Sequence, residues 1–250
     1  MLFRRIVLYA LLVGGVSGLL LTAVQFWQVI PIIQTAEQFE SGAISPPAHE
    51  HAGQSAAAHE HAGHEHAAGT WQPSGPTERT GFTLLANVLI AAGLALVMLP
   101  AIVASLRANA ATKLDWRHGL LWGAAGYAVF FLAPALGVPP EIPGAAGAPL
   151  EARQLWWLIA VMCTAAGLAG AAFGKSPWRW AALGLLVVPH LVGAPHPPAE
   201  MFAGPPAAAD ELAALAKQFI GATAIANAVF WLALGFASMW AVRRIVPQSK

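Results

Sequence analysis

Most histidines of the chain lie in one short polar tract. Near-copies of a His-Glu-His-Ala unit occur three times and hold six of the nine histidines. In an extended backbone, the two imidazoles of a unit, two residues apart, point to the same side. Imidazole nitrogens bind cobalt, nickel, copper and zinc, and the intervening carboxylate adds an oxygen ligand. The tract predicts capture of divalent transition metal ions by His49, His51, His59, His61, His64 and His66.

Capture by this tract requires neutral imidazoles, so it should fail below about pH 6, where histidine protonates and releases metal. The tract is surrounded by Ala, Gly and Ser, which cannot bury a core. Residues 45–78 are therefore predicted to be a disordered loop in the absence of metal. The alternative is a solvated polar linker that binds metal weakly.

Five further side chains are candidate ligands near apolar segments. Glu37 and Glu40 are three residues apart, on one side of a helix. Glu141 is the charged residue of a proline-rich turn, and His190 and His196 each follow a proline. A histidine inside a membrane span is rare and is a candidate functional residue. The alternatives are a solvated helix end for the two glutamates and a hydrogen-bonded interfacial imidazole for His190.

The composition excludes several classes of protein. Apolar residues make up 57% of the 250 residues and charged residues only 10%, whereas a soluble domain carries about 25%. This indicates an integral membrane protein. No Gly-x-x-x-x-Gly-Lys-Ser/Thr element, the phosphate-binding loop, is present, and no soluble region could form a nucleotide domain. One cysteine excludes an internal disulfide. An ATPase is therefore not expected.

Hydropathy predicts an all-α membrane protein, a single integral membrane domain over residues 1–250. Its bundle has about six transmembrane helices, each near the ~20 residues that cross hydrocarbon. They cover approximately 6–30, 82–104, 118–138, 155–173, 178–194 and 219–242.

Local composition predicts how some of these spans pack. Gly14, Gly15 and Gly18 should form a small face that another helix approaches closely. The fifth span is the shortest and contains Pro189, which removes a helical hydrogen bond. Trp156 and Trp157 precede an apolar run and are expected at the membrane interface.

Lysines and arginines predict the orientation, because cytoplasmic ends of spans are enriched in them. If all six spans cross, ten basic residues flank one side and three flank the other. This places both termini in the cytoplasm of a bacterium and the His-rich loop in the periplasm. The minority side has Arg79, Arg153 and Lys217, and the majority side has Arg4, Arg5, Arg107, Lys113, Arg117, Lys175, Arg179, Arg243, Arg244 and Lys250.

Several motifs together resemble one family over nearly the whole chain. They are Ala-Glu-x-x-Glu over 36–40, Pro-Ala-Leu-Gly-Val-Pro-Pro-Glu-Ile-Pro-Gly over 134–144, Arg-Gln-x-Trp-Trp over 153–157 and Pro-His-Leu-Val-Gly-Ala-Pro over 189–195. The sequence is similar to the CbtA family of proposed cobalt transporter subunits. The resemblance implies cobalt uptake across the inner membrane for cobalamin biosynthesis. It also implies a small His-bearing membrane partner of the CbtB type.

The leading hypothesis is uptake of a divalent metal ion, with cobalt favoured and nickel, zinc or copper open. The loop would capture ions and pass them to a site in the bundle built from His190, His196, Glu141, Glu37 and Glu40. No catalytic residue is predicted. A membrane-anchored periplasmic metal buffer or sensor is the main alternative. A membrane enzyme or haem protein is disfavoured, because haem usually needs paired histidines at matching depths.

Overall fold

The computed structural model describes residues 2–40, 73, 75–108, 115–197, 202 and 206–246. These ranges are mainly helical and contain no strand. The helices are α1 Leu2–Val24, α2 Ile30–Glu40, α3 Pro76–Ala108, α4 Trp116–Tyr127, α5 Ala133–Ala135, α6 Leu150–Phe173, α7 Trp178–Leu183, α8 Val188–Val192 and α9 Pro206–Ile245. One π-helical turn, Gln25–Val29, joins α1 to α2, and another, Ala128–Leu132, joins α4 to α5.

Five continuous helical rods in the described ranges are long and apolar enough to cross a membrane. The predicted all-α membrane fold is therefore confirmed. The predicted spans 6–30, 82–104, 155–173 and 219–242 each lie inside one rod, whereas the third rod ends three residues before the predicted 138. The rods are Leu2–Phe39, Pro76–Arg107, Trp116–Ala135, Leu150–Phe173 and Ala208–Ile245.

The predicted loop 45–78 ends too late, because residues 76–78 already belong to α3.

The predicted span 178–194 is an interrupted crossing instead of one helix. It consists of α7, a 3-10 turn at Gly184–Leu186 and α8. The segment runs antiparallel to α6. A Cβ on Gly170 would lie 2.5 Å from Ala182 Cβ, while the His190 ring contacts the Trp156 ring. Those two places on α6 are about 21 Å apart. The interrupted segment therefore returns along most of α6, which agrees with the predicted bundle of about six helices.

Pro189 lies in the first turn of α8 and not in the interior of a longer helix. A first-turn residue has no helical acceptor for its N–H, so proline is tolerated there. The preceding helix has already ended near Val187, whose carbonyl accepts hydrogen bonds from the N–H groups of His190 and Leu191. Proline therefore begins a new short helix that carries His190.

Two of the three predicted small-face glycines allow α1 and α3 to touch. A Cβ on Gly14 would lie 2.4 Å from the Ala92 Cα, and one on Gly18 would lie 2.6 Å from the Val88 Cα. The prediction fails for Gly15, where a Cβ would meet nothing within 4 Å. The backbones of α1 and α3 are thus in direct antiparallel contact along one face of α1.

This contact gives a matched pair of substitutions. Gly14→Ala should destabilise the bundle, because backbone atoms of α3 must move to admit the methyl group, at a cost of about 1–3 kcal/mol. Gly15→Ala should leave stability unchanged or slightly higher, since alanine favours helix. Thermal unfolding of both variants in detergent measures the difference. Equal melting temperatures for the two would contradict the close contact.

A buried polar cluster joins the same two helices next to the first π-helical turn. The Asn87 amide donates hydrogen bonds to the Thr22 hydroxyl oxygen at 3.0 Å and to Gln25 Oε1 at 2.6 Å. Thr22 in turn donates to the Gly18 carbonyl at 2.8 Å. In lipid such bonds contribute about 0.6 kcal/mol on average. The cluster therefore fixes the register of α1 on α3.

The antiparallel packing separates the basic residues into two groups. We call the end where α1 begins and α9 ends the terminal end, and the opposite end, where α2 ends and α3 begins, the loop end. Arg79, Arg153 and Lys217 lie in the loop-end parts of their helices. The described basic residues of the terminal end are Arg4, Arg5, Arg107, Arg117, Lys175, Arg179, Arg243 and Arg244.

Three rods are longer than a bilayer requires. Leu2–Phe39 and Ala208–Ile245 have 38 residues each and Pro76–Arg107 has 32, which is about 48–57 Å of helix against a hydrocarbon thickness of about 30 Å. Most of their basic residues lie at the terminal end, with Arg79 and Lys217 as the exceptions, so we expect the excess length at the loop end. There Ala36, Ile142 and Leu212 share one core. We therefore expect the loop end to project beyond the lipid.

Candidate metal-handling site

The six tract histidines, His49, His51, His59, His61, His64 and His66, lie outside the described residues. Capture by the tract stays a prediction. The tract connects α2 to α3 in the chain, and both helices reach the loop end. The other candidate ligands can be placed relative to that end.

Glu37 is held by an arginine of the neighbouring helix. The Arg79 guanidinium donates from Nη1 to Glu37 Oε2 at 3.0 Å and from Nη2 to Glu37 Oε1. The two side chains are 33% and 55% exposed for Glu37 and Arg79, so water reaches the pair. Glu40 is the last residue of α2, one turn farther along. The predicted helix through 37–40 is present.

Glu141 lies in a turn whose shape is set by its prolines and glycine. The turn Ile142-Pro143-Gly144-Ala145 is closed by a 3.3 Å hydrogen bond from the Ala145 N–H to the Ile142 carbonyl. Gly144 has φ of +80°, which is the type II pattern of proline followed by glycine. Ile142 is buried in the core, and it anchors the turn so that Glu141 faces α6.

The partner of Glu141 is Arg153 in the first turns of α6. Arg153 Nη1 donates to Glu141 Oε2 at 2.5 Å, and both side chains are about 30% exposed, at 31% and 28%. A Cβ on Gly147 would lie 2.6 Å from Glu141 Oε2 and 3.1 Å from Arg153 Nη1. The backbone at Gly147 therefore covers the ion pair, and a larger residue there would displace it.

His190 and His196 are both exposed. The imidazole of His190 packs edge-on against Trp156, with ring centroids 5.9 Å apart. His196 lies in the irregular segment after α8. His190 is thus available to solvent or a ligand while one side of its ring is fixed by Trp156.

The two proline-rich motifs meet at one glycine. A Cβ on Gly137 would lie 2.3 Å from Trp156 Cη2 and 2.8 Å from the Cβ of Ala194. The motif over 134–144, the start of α6 and the motif over 189–195 are therefore one packed unit at the loop end. This unit brings Glu141 and His190 to the same two turns of α6, through Arg153 and Trp156 respectively.

The candidate ligands do not close into a preformed metal site. Within the described ranges, no group of three or more His, Cys, Asp or Glu side chains is close enough to hold one ion. Glu37 and Glu141 each have a guanidinium as their neighbour instead. Both carboxylates are therefore charge-compensated, and a metal ion would have to replace an arginine at either of them.

Sequence reasoning missed the two arginines that pair with these glutamates. The sequence identifies Arg79 as a basic residue of the sparsely charged side and Arg153 as a member of the Arg-Gln-x-Trp-Trp motif, and it predicts no pairing for either. Their scarcity at that end was the available clue, because a guanidinium beside a membrane protein's carboxylate is a natural counter-ion. Which glutamate each one meets depends on packing across 42 and 12 residues of chain.

A cavity of about 580 Å³ between α3, α4 and α6 is not a second metal site. Its lining is almost wholly apolar, with Ser105 and His118 as the polar side chains besides two tryptophans. One imidazole and one hydroxyl are too few ligands for a transition metal ion. His118 lies at the terminal end, far from His190 along α6.

Comparison with known families decides the identity of the chain. The sequence model of CbtA, described as a probable cobalt transporter subunit, matches residues 3–243. The chain belongs to the CbtA family. Comparison with curated proteins and with solved structures gives no significant match. The CbtA match covers α1 through almost all of α9, and with them both ion pairs and the unit at Gly137.

Proposed function

We propose that this CbtA protein takes up divalent metal ions, with cobalt as the transported ion, and has no catalytic role. The family description supports transport of cobalt. The observation that carries the proposal is the clustering at the loop end. There the two proline-rich motifs pack together around α6 and bring Glu141 and His190 near one surface.

In this proposal the His-Glu-His loop captures ions and delivers them to the loop end. His49, His51, His59, His61, His64 and His66 hold metal loosely and raise its local concentration. The ion then passes to His190, His196, Glu141, Glu37 and Glu40. The support is positional, because the loop joins the two helices that carry Glu37 and Arg79.

The Arg79–Glu37 pair is weak enough to yield to a metal ion. Exposed ion pairs contribute about 0.2–1 kcal/mol, whereas micromolar binding corresponds to about 8 kcal/mol. Replacing Arg79 at Glu37 would therefore weaken metal binding by about fivefold at most. Arg79 then acts as a removable counter-ion that keeps Glu37 compensated between transport events.

We place the protein in a bacterial inner membrane with both termini in the cytoplasm. The support is the segregation of basic residues at the terminal end, the pattern of cytoplasmic ends. The loop end, with the His-rich loop, then faces the periplasm. Cobalt taken up in this direction would be available for cobalamin biosynthesis.

A partner subunit belongs to the same proposal. The family description calls its members subunits, which supports an assembly with another membrane protein. We propose a small His-bearing membrane subunit of the CbtB type as that partner. Such a subunit could add ligands to a site for which the described residues provide fewer than three neighbouring ones.

One observation favours a second candidate, a membrane-anchored metal buffer or sensor. The described residues contain no preformed group of three ligands, as expected if only the tract held metal. The two functions differ in whether the ion crosses. Purified protein in lipid vesicles, with and without the partner, should admit radioactive cobalt into the lumen if it is a transporter. Surface binding without luminal cobalt would support the buffer.

Substitution of the tract tests the capture step within that assay. Changing its six histidines to glutamine should reduce the cobalt bound per chain and lower uptake at least tenfold at submicromolar cobalt. Uptake at saturating cobalt should stay close to the unsubstituted rate, because the later site is intact. Glutamine preserves length and polarity, so the chain's insertion should not change. Unaltered binding and low-concentration uptake would refute the capture role.

A further inference from the structure

Two buried N–H groups on α6 lack an acceptor among the described residues. They are Nε of Arg153 and Nε1 of Trp156. The Trp156 side chain is only 4% exposed. The two residues are three apart on one helix, so they share a side. A buried donor without an acceptor costs about 1–3 kcal/mol, so such groups are rare in native proteins, and a bound water or ligand is one explanation for them.

These donors adjoin the proposed metal ligands. Arg153 uses Nη1 to hold Glu141 at 2.5 Å, which leaves its Nε for another acceptor. Trp156 touches the His190 ring on one side and the Gly137 backbone on another. One stretch of α6 thus presents two unused donors beside a carboxylate and an imidazole.

The chemistry of the donors restricts what can bind them. Guanidinium and indole N–H groups have no lone pair for a metal, so neither can be a ligand to a cation. Their missing partner is an oxygen acceptor. A carboxylate is the acceptor that best suits a guanidinium, because it gives short, charge-assisted hydrogen bonds.

Binding of a metal ion to Glu141 also creates a need for a carboxylate acceptor at Arg153. If Glu141 turns to the ion, Arg153 loses its counter-charge in a partly buried position. Leaving a partly buried charge without its partner is unfavourable. A carboxylate that accompanies the metal would replace Glu141 at Arg153 and would also accept from Trp156. The Arg153 guanidinium then keeps a carboxylate partner, and the Glu141 carboxylate offsets part of the charge of the metal ion.

We propose that Glu141, Arg153 and Trp156 bind a divalent metal ion together with a small carboxylate ligand of that ion. Glu141 binds the metal, and Arg153 and Trp156 bind the carboxylate. The substrate class is therefore a metal–carboxylate chelate and not the bare hydrated ion. This inference rests on the proposed function, and it names the chemical form in which the metal is recognised.

Equilibrium dialysis with labelled citrate tests the inference. The protein is the full-length chain with glutamine at the six tract histidines, so that the tract cannot hold the complex. With cobalt present, about one labelled citrate should be retained per chain. Without cobalt, retention should be at least tenfold weaker, because Glu141 then keeps Arg153 occupied.

Three substitutions locate the bound citrate. Trp156→Phe removes the indole donor, and Arg153→Lys keeps the charge but removes Nε, so each should weaken retention at least tenfold. Trp157→Phe is the matched control, because Trp157 is 41% exposed whereas Trp156 is buried. This substitution should leave citrate retention unchanged. Melting temperatures show whether the Trp156→Phe protein is folded. If it is not, citrate retention by the Arg153→Lys protein decides the test.

The outcomes separate this inference from the proposed function. If no citrate is retained, the inference is overturned. This is the result expected if an ordered water satisfies the two donors. So does equal retention in the Trp156→Phe and Trp157→Phe proteins. Uptake of cobalt into vesicles from citrate-free solution would leave the proposed function standing in either case. Citrate retention that depends on Trp156 and Arg153 supports the inference even where no cobalt reaches the lumen.

Discussion

Glu141→Gln is expected to lower cobalt uptake by about 100-fold or more while the protein still inserts in the membrane. Loss of residues that merely orient metal ligands already costs about 10–100-fold, and the amide cannot supply the carboxylate charge. Initial rates of radioactive cobalt entry into vesicles, normalised to inserted protein, measure the effect. Glu151→Gln is the control, because Glu151 is an exposed acid in the first turn of α6 and should be neutral.

A charge exchange distinguishes a ligand from a purely structural partner of Arg153. Glu141→Arg combined with Arg153→Glu re-forms an ion pair between the same two positions. We expect folded yield to return toward the unsubstituted level while uptake stays low, because the carboxylate now lies on α6 and not on the turn. Recovery of uptake together with yield would mean that Glu141 serves only to neutralise Arg153.

The helices were predictable because hydropathy is a property of the residues themselves. The apolar runs of the five rods and the segregation of Arg4, Arg107 and Arg244 from Arg79 can be read without knowing any neighbour. Helix ends were less predictable. The rods Leu2–Phe39 and Ala208–Ile245 are 38 residues long, well beyond the ~20 residues that cross hydrocarbon, and the polar residues in the added turns carry no hydropathy signal.

The paired tryptophans show the limit of composition. Interfacial placement of Trp157 agrees with its exposure, but the same prediction is wrong for Trp156, which is buried at 4%. Neighbouring positions on a helix point about 100° apart, so one indole faces outward and the next faces the packed unit at Gly137. Composition predicts the same environment for both residues. Their difference in exposure comes from the packing of the 134–144 turn against one of them.

The candidate site was predictable as a list of residues and not as an arrangement. Glu141 and His190 stood out because each interrupts an apolar, proline-rich stretch. Their counter-ion and ring partner, Arg153 and Trp156, depend on how α6 meets two distant loops. The π-helical turn at Gln25–Val29 was also missed, since it reflects one added residue per turn and has no composition of its own.

His190 gives the second large expected effect, and its ring contact allows a sharp test. His190→Ala removes both the imidazole nitrogens and the edge-on contact with Trp156 at 5.9 Å. His190→Phe keeps an aromatic ring in that contact but has no nitrogen to bind metal. If His190 is a ligand, both variants should lose uptake by at least tenfold, and only the alanine variant should also melt at a lower temperature.

The opposite pattern would identify a structural role. An aromatic pair contributes about 0.5–1.5 kcal/mol beyond its buried area, so a packing role predicts that phenylalanine preserves both the melting temperature and uptake. Leu191→Ala is the neighbouring control, because Leu191 is 80% exposed and should affect neither. Uptake that survives His190→Phe would exclude His190 as a ligand. Loss of uptake at an unchanged melting temperature would assign the defect to the missing nitrogens, because the ring contact with Trp156 is then still in place.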